Sequence, residues 1–307
     1  MSTLRKALQD YLQLRHALGF KLEREGVLLP RFVSFLEQED AAHITTSLAA
    51  RWAMTPASAS PRQWAERLGE VRLFARFLAA QDPHTEVPPR DLLPRVPSRR
   101  LVPFVYEDAD LLALMRATDI FDGVKRSTYA TLLGLLAVTG MRVGEAINLD
   151  RDDINWRAQL LVIRSAKFGK SRELVLHRTT LDALRAYLRI RDRVLPHPRS
   201  PALLLSLAGT RLLYKNVQRG FSQLLRRAAL PQRLPRRPRL HDLRHAFAIK
   251  TLTRWYREGL DVEARLPLLS TYLGHVHPSQ TYWYLTATPE MMRLAERRAR
   301  KALRGRP

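Results

Sequence analysis

A chain of 307 residues is long for one compact domain and comfortable for two. Lys and Arg number 52 against 29 Asp and Glu, a net charge of +23 whose field favours a polyanionic partner, although arginine-rich composition alone is also what a high-GC coding sequence produces. Cysteine is absent, which excludes a disulfide framework, a thiolate metal site and a thiol nucleophile and fits a reducing cytoplasm, and nowhere do the ~18 consecutive apolar residues of a membrane span occur.

Met1 to Lys6 runs into a mixed polar and apolar helical pattern rather than a secretory signal, so a soluble, cytoplasmic protein is expected. From Leu4 to Phe20 the residues Leu4, Leu8, Tyr11, Leu12 and Leu18 recur at helical spacing, and a second pattern follows with Val27, Leu28, Phe32, Phe35 and Leu36. Ser60 before Pro61 reads as an N-cap and first helical position, opening a third long helix with Trp64, Leu68, Val71, Phe74 and Leu78 on its inner face. Between residues 82 and 103 stand Pro83, Pro88, Pro89, Pro94, Pro97 and Pro103, with Arg90, Arg95, Arg99 and Arg100 among them. The domain boundary is expected here: a helical domain over 1–95, a basic linker over 96–104, and a second domain over 105–307.

In that second domain, Asp108 to Thr118 and the nearly all-apolar Tyr129 to Thr139 read as helices. Leu160 to Arg164 and Arg172 to Leu176 are short strand-forming runs on either side of a turn, Ser165 to Ser171, rich in small and basic residues. Helices resume at Thr180. Arg226 to Arg239 packs arginines among Pro231, Pro235 and Pro238 and is not expected to form a regular helix; it reads as a basic loop, either solvated or in contact with phosphate. Met291 to Arg306 reads as a basic amphipathic helix, packed on its own domain or on a neighbouring protomer. The fold class is therefore mainly α with a small antiparallel β-sheet.

Four segments carry candidate chemistry. Gly140 closes a buried helix and Arg142 follows at the start of the next, where an anion would balance it; Glu145, three residues on, is a structural alternative to a ligand. Lys167, with Lys170 and Arg172 behind it, sits on the hairpin turn, as a solvated tip or as an ammonium delivered into a groove. His241, Arg244 and His245 share one helical face, a spacing that also brings a zinc pair to mind, but Asp242 stands where a zinc-protease motif has Glu. Finally, Gly274 ends a helix, His275 follows, Pro278 permits a new helix, and Tyr284 comes at a distance that lets a short helix fold it and His275 towards one point, while Tyr282 and Trp283 read equally well as core aromatics.

Taken in order, Arg142, the Lys167 turn, His241-x-x-Arg244, Leu273-Gly274-His275 and Tyr284 resemble the catalytic domain of tyrosine recombinases of the phage-integrase type. The resemblance spans about residues 105 to 290 by motif, whereas the N-terminal module is similar to the family's core-binding domain in layout only. It implies that Tyr284 is the nucleophile, Arg142 and Arg244 hold the scissile phosphate, Lys167 is the general acid, and His241 and His275 bond the phosphate or help remove the tyrosine proton. Glu145 and His245 would orient these groups. Tyr282 and Lys170 remain competitors for Tyr284 and Lys167. The resemblance further implies a 3′-phosphotyrosyl intermediate formed without metal, ATP or other cofactor, double-stranded DNA as partner, and a tetramer assembled on two DNA sites. A type IB topoisomerase would instead relax any plasmid as a monomer, and a non-catalytic DNA-binding accessory protein would form no covalent adduct.

Overall fold

The computed structural model describes residues 3–94, 102–164, 171–230, 237–286 and 289–304, and the chain divides into two compact units, residues 1–100 and 101–307. The first is four helices: α1 (Thr3–Ala17), α2 (Glu25–Gln38), α3 (Thr46–Met54) and α4 (Pro61–Ala79). Its core brings together Leu4, Leu8 and Tyr11 of α1, Leu29, Phe32, Val33 and Leu36 of α2, Trp52 of α3, and Leu68, Val71, Phe74 and Leu78 of α4. Ser60 caps α4 as expected, its hydroxyl accepting from the Gln63 amide while the Gln63 side chain accepts from the Ser60 amide.

The sequence reading misses α3, which is nine residues long and buries Ala49 and Ala53 beside Trp52, too little apolar bulk for a visible stripe. Two residues of the helical patterns lie at the surface: Leu18 falls beyond the end of α1 and is 64% exposed, and Val27 is 52% exposed. Trp64 is half-buried, its indole nitrogen donating to the Pro56 carbonyl.

The second unit opens with α5 (Asp108–Arg116), a 3-10 turn over 117–120, the buried α6 (Gly123–Thr139) and the short α7 (Val143–Asn148). A three-stranded antiparallel sheet follows, β1 (Ile154–Asn155), β2 (Leu160–Ile163) and β3 (Arg172–Val175), in the order β1-β2-β3 with Leu161 opposite Leu174 and Ile163 opposite Arg172. The two expected strands are present; β1, two residues long, is too short for a pattern. The turn between β2 and β3 that carries Lys167 and Lys170 lies outside the described residues.

Helices α8 (Arg178–Val194), α9 (Tyr214–Ala228), α10 (Leu240–Arg257), α11 (Val262–Leu273), α12 (Ser279–Tyr282) and α13 (Pro289–Arg304) complete the unit. The expected irregular segment from Arg226 is corrected at its start, because Arg226 and Arg227 form the last turn of α9; residues 231–236 lie outside the described residues. One core gathers α6, the sheet, α8 and α9 around Leu132, Leu136, Leu161, Leu174, Leu184 and Val217. A second gathers α10 and α11 around Ile249, Leu252, Leu266, Leu269 and Leu273, and includes Tyr284 and Met291. Through Met291, fully buried and accepting a hydrogen bond from Thr253, and through the Glu290–Arg257 ion pair, α13 packs on its own domain. None of the described helices is long and apolar enough to cross a membrane.

Candidate active site

The site is built where four helix ends meet. Gly140 ends α6 at φ 61°, in the left-handed region, and a Cβ there would come 2.5 Å from the Phe247 ring, so the position demands glycine twice over. Two residues on, Arg142 takes the N-cap position of α7. Its backbone amide donates to Glu145 Oε2 at 2.8 Å and its Nη1 to Oε1 at 2.7 Å, so the i,i+3 pair foreseen as an alternative does form. Glu145 nevertheless does not serve Arg142 alone. Arg172, the first residue of β3, donates to both of its oxygens, at 3.0 and 2.7 Å.

The opposite wall is the end of α11, where Gly274 at φ 68° reverses the chain. Three successive carbonyls at this end each receive one arginine from a different element: Tyr272 O from Arg172 Nε at 2.8 Å, Leu273 O from Arg244 Nη2 at 2.6 Å, and Gly274 O from Arg142 Nη2 at 2.8 Å. Arg244 also donates to Gly140 O at 2.9 Å. Carbonyls at a helix C-terminus lack intrahelical donors and carry the negative end of the helix dipole, which is what permits three like charges to gather. Among the described residues, Glu145 is the one carboxylate that pairs with them. Arg244, only 2% exposed, has no carboxylate partner among the described residues, and a buried cation held by carbonyls alone is an anion site in waiting.

The third wall is aromatic. His241 and His245, one turn apart on α10, meet edge to face with ring centres 4.7 Å apart. The Tyr284 hydroxyl and His245 Nδ1 are 2.8 Å apart, and the Tyr284 ring, 1% exposed, lies nearly parallel to His275 at 6.5 Å. His275 Nδ1 is in turn bonded to the Thr281 hydroxyl at 2.7 Å. Tyr282, by contrast, is 50% exposed. Asp242 accepts from the Arg239 amide at 2.8 Å and so caps α10. The structure thus brings Arg142, Glu145, His241, Arg244, His245, His275 and Tyr284 together, while Lys167 lies outside the described residues. Arg172 is the site residue that the sequence reading passed over, noticing it only as a basic residue behind Lys167. Its partners Glu145 and Tyr272 are 27 and 100 positions away, and no local pattern reports such pairings.

Residues 105–291 match the model of the phage integrase family. The chain belongs to the phage integrase family. This integrase-family chain is 46% identical over 306 residues to the Sinorhizobium fredii protein named "Putative integrase/recombinase y4rB", covering 97% of each, and 30% identical over 226 residues to the tyrosine recombinase XerC of Chlamydia muridarum, covering 73% of this chain and 67% of that one. Among solved structures it is similar to the Tn1549 transposon integrase in complex with transposon right end DNA, with a TM-score of 0.66 at 17% identity over 97% of this chain and 99% of that one. It is also similar to the XerH site-specific recombinase bound to its palindromic difH substrate in a post-cleavage complex, with a TM-score of 0.65 at 17% identity over 88% and 77% of the two chains. At such identities the structural likeness speaks for the fold. The expected tyrosine-recombinase enzyme, mainly helical with a small antiparallel sheet, is what these relationships show.

The electrostatics of the integrase site follow from its walls. Desolvation raises the Glu145 carboxyl, but hydrogen bonds and charge from Arg172 and Arg142 prevail and bring it to about 2. Desolvation and the neighbouring Arg142 lower Arg244 to about 10, still cationic at neutral pH. His245 is lowered to about 3 by desolvation and then by His241, and His275 to about 3 by desolvation and then by Arg244 and Arg142. His241, on the exposed rim, is also lowered, by desolvation and by Arg244 and Arg239. All three imidazoles are therefore neutral at pH 7 and serve as acceptors as well as donors. Their depressed values mean that the unfolded chain binds protons below its histidine value of 6.5 while the folded chain does not, so stability is lost as pH falls from there toward 3. The Glu145 contribution is full above 4.5 and is lost as pH falls toward 2. The thermal midpoint is thus expected to decline from about pH 6.5 downward, well before carboxylates titrate, and His275→Gln is expected to flatten the decline between 6.5 and 4.5. Calorimetry across that window checks it; a midpoint constant down to pH 4.5 would contradict it.

Proposed function

We propose that this chain is a site-specific recombinase of double-stranded DNA that cuts and rejoins strands through a 3′-phosphotyrosyl link to Tyr284. The observation that carries the proposal is the placing of one buried phenol against a neutral imidazole in a pocket whose guanidiniums outnumber its carboxylate. A phosphodiester passing through a five-coordinate transition state gains charge on its non-bridging oxygens, and planar guanidiniums match those oxygens in pairs. Arg142 and Arg244 each commit some N–H donors to Glu145 or to carbonyls, which fixes their planes, and present the rest to the phosphate.

In the proposed step the Tyr284 oxygen bonds to phosphorus and the bond from phosphorus to the 5′-oxygen of the next nucleotide breaks. The phenol, ordinarily near ~10, gives up its proton as its oxygen bonds to phosphorus, and His245, already in contact, receives it with the negative charge of the bound phosphate beside the imidazole. His241 and His275 bond the phosphate. The departing 5′-oxygen takes a proton from Lys167, the general acid assigned by resemblance. Because the phosphodiester bond is exchanged rather than hydrolysed, attack by a 5′-hydroxyl reverses the step and returns the tyrosine without ATP.

The helical first unit serves in this proposal as the core-binding clamp, the segment near residues 96–104 as the linker, and residues 105–307 as the catalytic domain. Four protomers would assemble on two sites, in the cytoplasm. Support comes from the net charge of +23 and from the DNA complexes of the structural relatives. The proposal is tested by incubating the protein with a pool of randomised nicked duplexes, denaturing in detergent, and sequencing the DNA that stays attached. An adduct with a free 5′-hydroxyl and a preferred sequence is expected; no adduct, or relaxation of any plasmid by a monomer, would overturn it.

A further inference from the structure

The Arg172 side chain is 11% exposed and is engaged through all three nitrogens of its guanidinium: Nη1 and Nη2 form a fork on Glu145, and Nε donates to Tyr272 O. Gly274 packs so closely on it that a Cβ built there would come 2.7 Å from Nη1. The guanidinium is therefore wedged between the carboxylate that orients Arg142 and the turn that delivers His275. Arg142 and Arg244 bond protein through Nη1 and Nη2 only among the described residues, leaving Nε and one N–H on each Nη, whereas Arg172 has all three of its nitrogens engaged on protein. Removing it would leave Arg142 as the only basic partner of Glu145 among the described residues, and would strip the Tyr272 carbonyl of its donor.

We infer that Arg172 is a positioning residue for strand cleavage: without contacting the phosphate, it fixes the Arg142 guanidinium through Glu145 and the Gly274–His275 turn through Tyr272 O. The inference rests on the strand-transfer reading above. Geometry, more than charge, is what the role requires. An ammonium is a point donor on a flexible stem and cannot span a carboxylate and a carbonyl in one plane.

The test measures single-turnover cleavage and, separately, affinity on one nicked duplex carrying the site recovered by covalent capture. The proteins are the wild type, Arg172→Ala, Arg172→Lys, Glu145→Gln and the double variant Arg172→Ala with Glu145→Gln, each with its melting midpoint. Arg172→Ala is expected to slow cleavage roughly 100-fold, the effect of displacing a catalytic group by about 1 Å. Affinity should change by less than about threefold, since bulk phosphate contacts lie elsewhere. Arg172→Lys should remain at least about tenfold slow despite its charge. The double variant should be within about threefold of the slower single variant, because both changes break one linkage. The inference is overturned by wild-type cleavage in Arg172→Ala, by full rescue with lysine, or by a double variant whose loss is the product of the singles, which would make Arg172 an independent ligand of the phosphate. Should Arg172→Ala not fold, Arg172→Lys and the Glu145→Gln background decide the matter by the same criteria. A wild type that cleaves no DNA overturns the strand-transfer reading itself, whereas a cleaving wild type with an unimpaired Arg172→Ala overturns this inference alone.

Discussion

Tyr284→Phe is expected to abolish covalent adduct formation, lowering strand cleavage on the order of 10⁴-fold or more, because the substitution deletes the one oxygen proposed to bond to phosphorus. The ring itself stays. It is 1% exposed, packed against Trp283 at 4.4 Å and parallel to His275, and phenylalanine fills that space equally well. The losses to the fold include the hydrogen bond to His245, about 1 kcal/mol. The variant should therefore melt near the wild type and bind DNA with unchanged affinity while cutting none of it. Tyr282→Phe is the matched control: half-exposed Tyr282 can lose its hydroxyl without touching the pocket, and adduct formation should persist. Covalent capture with both variants on one duplex checks the pair, and an adduct surviving in Tyr284→Phe would contradict the assignment.

The second large effect concerns Arg244. Truncation to alanine removes a guanidinium that donates to Gly140 O and Leu273 O and leaves both carbonyls without that donor in a buried position, at about 1–3 kcal/mol of stability. Cleavage is expected to fall about 10³-fold, the upper range for loss of a donor aimed at developing charge. Binding should be affected far less. Arginine and lysine residues elsewhere supply the counterion release on which affinity for duplex DNA depends, so the salt dependence of binding should be nearly that of the wild type. Arg142→Ala is expected to behave alike, with a smaller loss of stability, since Arg142 is the more exposed of the two. Titrations at several salt concentrations beside single-turnover cleavage separate the two effects; equal losses of binding and cleavage would show that these arginines merely hold DNA.

Much of this site is legible in the sequence because its parts are local. His241, Arg244 and His245 share a helix face by spacing alone, and Gly140 and Gly274 announce helix ends that the structure places in the left-handed region. The order of the motifs along the chain then adds what spacing cannot, namely which tyrosine and which arginines belong together. Arg172 escaped because its importance lies in contacts across the fold: a basic residue opening a short strand looks like any other, and only the folded chain sets it against Glu145 and Tyr272. The same limit hid the partition of Arg142 between Glu145 and the Gly274 carbonyl. In the first unit α3 was lost for a different reason, since alanines at Ala49 and Ala53 bury a helix without announcing it, while Leu18 and Val27 show apolar residues left at a surface that periodicity would have buried.

In the proposed reaction one tyrosine oxygen exchanges places with a DNA 5′-oxygen. Proteolysis of the covalent adduct, nuclease trimming of the attached strand and mass mapping of the modified peptide test it most directly. A nucleotide joined through its 3′-phosphate to Tyr284, with Tyr282 unmodified in the same peptide, is the result expected. Attachment at Tyr282, at another side chain or through a 5′-phosphate would contradict it.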